Sequence, residues 1–93
     1  MQENVIPAVR RIEVKDIEDA RERIRGIAIR TPLVQLRHHL DAPEVWLKLE
    51  NLQPINAYKL RGAANAVAML DDEKRRRGVW TVSAGNAGQG VAF

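Results

Sequence analysis

The sequence predicts an α/β fold whose visible core is a strand, a helix and a second strand, a crossover unit of a parallel sheet. Three observations carry that prediction. Residues 45–50 alternate, with Val45, Leu47 and Leu49 on one face and Trp46, Lys48 and Glu50 on the other, the period of a strand. From 57 to 77 the apolar residues Leu60, Ala63, Ala64, Val67 and Leu70 recur at helical spacing among good helix formers. Residues 79–83 then give a short run with Val79, Trp80 and Val82, bounded by Gly78 and Gly85, which suits a buried strand. A crossover makes its two strands parallel and right-handed, so their carboxyl ends share one rim.

Taken from the start, residues 1–15 read as an N-terminal arm and 16–93 as one folding unit. The first helix is expected over 16–27, capped by Asp16, with Glu18 and Asp19 in its first turn and Ile17, Ala20, Ile24 and Ile27 along one face. It would lie across the outside of the sheet. Arg30-Thr31-Pro32 ends that pattern, and Pro54 ends the strand. The cluster Lys74-Arg75-Arg76-Arg77 follows Asp71, Asp72 and Glu73, so it is nearly balanced and complements the dipole at a helix C-terminus. A new helix begins in the glycine-rich run 83–90.

Composition narrows the function classes. The chain has 93 residues, a net charge of +3 and no cysteine, which removes disulfides and thiolate metal sites. His38 and His39 have no neighbouring carboxylate or thiol partners and read as part of a loop before Asp41. The four aromatic residues Trp46, Tyr58, Trp80 and Phe93 form no stacking platform, so nucleic-acid binding is not expected. The sequence holds neither a membrane-length apolar run nor the apolar centre of a signal peptide, which makes the cytoplasm the expected compartment.

The expected rim is where open α/β sheets hold ligands, because helix N-termini there aim unpaired N–H groups outward. Two strand-to-helix junctions reach it. The first, NAYKLRGA, carries Lys59; the second, SAGNAGQG, carries Ser83, Ala84, Gly85, Asn86 and Ala87. Its small residues let backbone amides approach a carboxylate or phosphate closely.

Three segments in this order, RTPLVQL (30–36), KLENLQPINAYKLRGAANAV (48–67) and TVSAGNAGQGVA (81–92), resemble the entry segment, lysine motif and asparagine loop of fold-type II pyridoxal-phosphate enzymes, above all the threonine/serine dehydratases. The resemblance covers roughly residues 16–93. It implies that Lys59 is the lysine joined to pyridoxal phosphate and the base that takes the α-proton of a β-hydroxy amino acid. It also implies that Asn86 bonds the ring 3-hydroxyl oxygen and that the loop 83–87 holds the substrate carboxylate. The product would be a 2-oxo acid and ammonia. Ala57-Tyr58 stands where the family usually has Ser-Phe, and Ala87 where many dehydratases have histidine, which leaves space for a larger substrate. Ala84 occupies the position of the serine base of serine racemases, so elimination ranks above racemisation. A β-replacement synthase or a noncatalytic remnant are the alternatives.

The family fold has two domains, and the chain is expected to be its N-terminal part. The later glycine-rich loop for the cofactor phosphate and the residue meeting the pyridine nitrogen are not in it. The piece alone is therefore expected to be inactive, and the complete protein to be a homo-oligomer.

Overall fold

The computed structural model describes residues 8–37 and 41–93. The first part of the predicted arm and the pair His38-His39 lie outside the described residues. Helix α1 (Val14–Arg23) is followed by strands β1 (Leu33–Leu36) and β2 (Val45–Lys48), a 3₁₀ turn (Glu50–Leu52), and helices α2 (Lys59–Ala68), α3 (Asp72–Arg77) and α4 (Asn86–Ala92).

Helix α1 begins two residues before the predicted start because Glu13, not Asp16, precedes its first turn. Asp16 works from inside that turn: its carboxylate accepts the Glu13 backbone N–H at 2.9 Å and pairs with Arg10 at 3.1 Å. The helix stops at Arg23 rather than Ile27, since Gly26 takes the left-handed region at φ 83° and turns the chain. Of the predicted apolar face only Ile24 is buried; Ile17 is 63% exposed. The end of α1 is tied to α2 by Arg23 Nε, which donates to Asn65 Oδ1 at 2.8 Å.

The two strands pair antiparallel, with Leu33 opposite Lys48 and Leu36 opposite Val45. This differs from the predicted crossover. Residues 79–83 form no strand, and Trp80 and Val82 are 89% and 88% exposed. Parallel pairs become stable when helices cover both faces of the sheet, and among the described residues 79–83 stay exposed throughout. The described architecture is thus a mixed one, four helices with a two-stranded antiparallel ribbon. The predicted strand 45–50 also ends early, because Leu49 bends the chain into the 3₁₀ turn.

The predicted long helix over 57–77 is broken into α2 and α3. Asp71 causes the break by capping α3, accepting the Lys74 N–H at 2.8 Å. Such a cap does not disturb the apolar spacing, so periodicity alone runs through it.

A small core of Ile24, Ala57, Leu60 and Ala64 sits where the end of α1, the turn before α2 and α2 itself meet. Thr31 and Gln53 are buried beside it. The accessible surface is 8529 Å², against roughly 5,400 Å² for a compact domain of this mass, so most apolar side chains remain open to solvent. The tightest helix contact is between α2 and α4. A Cβ placed on Gly90 would lie 3.1 Å from Ala63 Cβ and 3.3 Å from the Lys59 carbonyl oxygen, so only glycine lets α4 come this close.

Candidate functional site

Lys59 is the first residue of α2, and the turn before it explains why. The Asn56 N–H bonds the Gln53 carbonyl at 2.7 Å, and Asn56 itself adopts φ 60°, a conformation that asparagine tolerates better than most residues. Ala57 is then buried, anchoring the chain, and Tyr58 stays 62% exposed. The Lys59 ammonium lies 5.3 Å above the Tyr58 ring, a cation–π pair at the mouth of the helix. The lysine amine is thus at the surface, on the first turn, where the unpaired N–H groups of α2 gather.

The second junction also forms a helix start. Asn86 opens α4, and Ser83 Oγ accepts the Gly85 N–H at 3.1 Å, closing the loop on itself. Ser83, Ala84, Gly85 and Asn86 are exposed, while Ala87 is half-buried. Asn86 lies one turn before Gly90, and Lys59 one turn before Ala63, so the contact at Gly90 joins the face bearing Asn86 to the first turn of α2. The two predicted junctions are therefore brought together by helix packing rather than by the rim of a parallel sheet.

A polar cluster around Glu50, tied to the first turn of α2 through Arg61, leaves little trace in the sequence. The Glu50 carboxylate accepts the Thr31 hydroxyl at 2.5 Å, the Gln53 amide at 3.1 Å and both Nε and Nη2 of Arg61, the latter at 3.2 Å. Gln53, only 1% exposed, spends its amide on the backbone of Ile29, taking its N–H at 2.9 Å and giving to its carbonyl at 2.8 Å. Arg61 also donates to the Ile29 carbonyl at 3.2 Å, and Lys48 to that of Thr31. The Arg61 bonds, helped by those of Thr31 and Gln53, hold the Glu50 carboxyl down at about 2, and Glu50 in turn pushes the Arg61 guanidinium up. The sequence signal was slight: a glutamine and a glutamate before a proline, whose burial only the fold reveals.

Among the described residues no group of three or more histidines, cysteines or carboxylates could hold a metal ion, and no helix is long and apolar enough to cross a membrane.

The family model described as Pyridoxal-phosphate dependent enzyme matches residues 24–93. The chain is 45% identical over 85 residues to the biosynthetic L-threonine dehydratase IlvA of Staphylococcus aureus (strain NCTC 8325 / PS 47), covering 88% of this chain and 20% of that protein. It is 44% identical over 85 residues to the enzyme of the same name from Lactococcus lactis subsp. lactis (strain IL1403), with coverage of 88% and 20%. The chain thus spans about a fifth of the length of these curated relatives. No solved structure matches it.

Proposed function

The chain belongs to the pyridoxal-phosphate dependent enzymes, and on that premise we propose that it supplies the lysine-bearing opening part of an ammonia-lyase acting on a β-hydroxy amino acid of the threonine or serine type. The expected unit 16–93, with α1 starting at Val14, would be the start of a catalytic fold that has two domains around a parallel sheet. The names of the threonine dehydratase relatives support this reading.

The residues present fit part of the cofactor. Lys59 offers an exposed primary amine at a helix start, and Asn86 an exposed amide on a helix packed against that same turn. Both donor types suit the aldehyde and the neighbouring ring oxygen of pyridoxal phosphate. When bound, the group supplies a conjugated ring that accepts electrons from the carbon beside the substrate nitrogen.

The chain's own contribution follows from position. The Lys59 amine would hold the aldehyde end of the group and, when free, would be the base that takes the proton from the substrate α-carbon. Loss of the β-hydroxyl as water and later hydrolysis then leave a 2-oxo acid and ammonia. Asn86 donates its amide to the ring oxygen. The loop 83–87 would orient the substrate carboxylate through its backbone amides other than that of Gly85, whose N–H is bonded to Ser83 Oγ.

The observation that supports the proposal is the close approach of α4, at Gly90, to Ala63 and the Lys59 carbonyl, which joins the helix begun by the asparagine loop to the helix begun by the lysine. Borohydride reduction of the full-length protein with pyridoxal phosphate tests it. The reduced adduct should map to the peptide bearing Lys59, and Lys59→Ala should remove both adduct and turnover. An adduct on another lysine would overturn the assignment.

A further inference from the structure

We infer that Glu50 and Arg61 are positioning residues for the Lys59 amine, clamping the first turn of α2 to the segment 29–31. The inference rests on the reading of Lys59 as the reacting lysine and deepens it.

Three stretches distant in sequence meet at this clamp. Arg61 comes from the first turn of α2, Glu50 and Gln53 from the 3₁₀ turn and its exit, and Ile29 and Thr31 from the segment after α1. Each polar partner is used. Glu50 accepts from three side chains, Gln53 satisfies both the N–H and the carbonyl of Ile29, and Arg61 divides its donors between Glu50 and Ile29. Among the described residues no buried side-chain nitrogen or oxygen is left without a partner. A fully satisfied network of this kind favours one arrangement over its neighbours.

Its placement relative to Lys59 is what makes it a positioning device. Residues two apart on a helix project about 200° from one another, so the clamp grips the side of α2 away from the amine. The same turn is held on a second side by Gly90, against the Lys59 carbonyl. With the backbone held from two sides and the amine left exposed, the lysine can be reached by substrate while its origin stays fixed. Misplacing a reacting group by about 1 Å can lower a rate by about 100-fold. The charged half of the clamp is partly shielded from water, with Glu50 16% and Arg61 37% exposed, and a forked guanidinium fixes both distance and angle where an ammonium would fix neither.

The test uses the full-length protein with Glu50→Gln, Glu50→Asp, Arg61→Met and Arg61→Lys. Four quantities are read: the yield of borohydride adduct at Lys59, the visible circular dichroism of the lysine-bound cofactor, kcat, and KM. The expected result is an adduct at Lys59 in all four. In Glu50→Gln and Arg61→Met the visible dichroism should be reduced and kcat should fall roughly 10- to 100-fold, with KM changed less than about threefold. Arg61→Lys and Glu50→Asp, which keep the charges, should recover part of kcat. An adduct with unchanged dichroism and unchanged kcat in folded Glu50→Gln and Arg61→Met would overturn this inference alone. The same holds if thermal stability falls while dichroism and kcat stay put. Failure to form an adduct at Lys59 in the unsubstituted protein would overturn the functional reading and this one with it.

Discussion

Replacing Glu50 by glutamine should cost stability in a pH-dependent manner, and the structure gives the size. The Glu50 side chain is 16% exposed and that of Arg61 37%, so the pair is only partly shielded from water. Its carboxyl sits at about 2 instead of the ordinary 4.5. At about 1.4 kcal/mol for each tenfold change, that difference is on the order of 3 kcal/mol in favour of the ionised, paired form. Solvent screening at Arg61 lowers the useful figure to roughly 1–2 kcal/mol. Because the folded carboxyl is depressed, the contribution is fully present above about 4.5 and is lost as the pH falls through about 2. The gap between native protein and Glu50→Gln should therefore be full at pH 7 and less than half as large at pH 3. Urea unfolding followed by far-UV circular dichroism measures it; Trp46 and Trp80, 51% and 89% exposed, would report poorly by fluorescence. A gap equal at both pH values would refute the ionic account and leave only lost packing.

Gly90→Ala brings a methyl to 3.1 Å from Ala63 Cβ and 3.3 Å from a main-chain carbonyl that cannot step aside. Crowding of about 1–3 kcal/mol should outweigh the gain of up to about 1 kcal/mol in helix propensity, giving a net loss by urea or thermal melting. Asn56 at φ 60° should accept glycine with a change under about 0.5 kcal/mol, whereas Asn56→Val should lose roughly 1–2 kcal/mol in the same assay. If Ala87 leaves room beside the substrate, threonine and bulkier 3-hydroxy amino acids should be turned over better than serine in a panel measured by 2-oxo acid release. A preference for serine would remove the larger-pocket idea.

The sequence was most legible where a local signal sufficed. The starts of α2 at Lys59 and α4 at Asn86 follow from apolar spacing and from small residues before a helix, both readable within a few positions. The break at Asp71 was missed because a cap changes backbone direction without changing periodicity. Ribbon pairing was missed for a different reason. LVQL at 33–36 is too short to announce a strand, and its partner is chosen by register across a turn. The run 79–83 has the composition of a buried strand, yet pairing depends on neighbours that lie elsewhere. The cluster around Glu50 is the clearest case: its members span residues 29 to 61, and nothing in Gln53 as a letter says that it is almost wholly enclosed.

At Gly90, helix α4 comes closest to Ala63 and to the main-chain carbonyl of Lys59. Chemistry and architecture at that position are thus separable: the amine can be cut away without touching what α4 leans on. A protein carrying alanine there is expected to keep the packing of α4 on α2 while losing the amine.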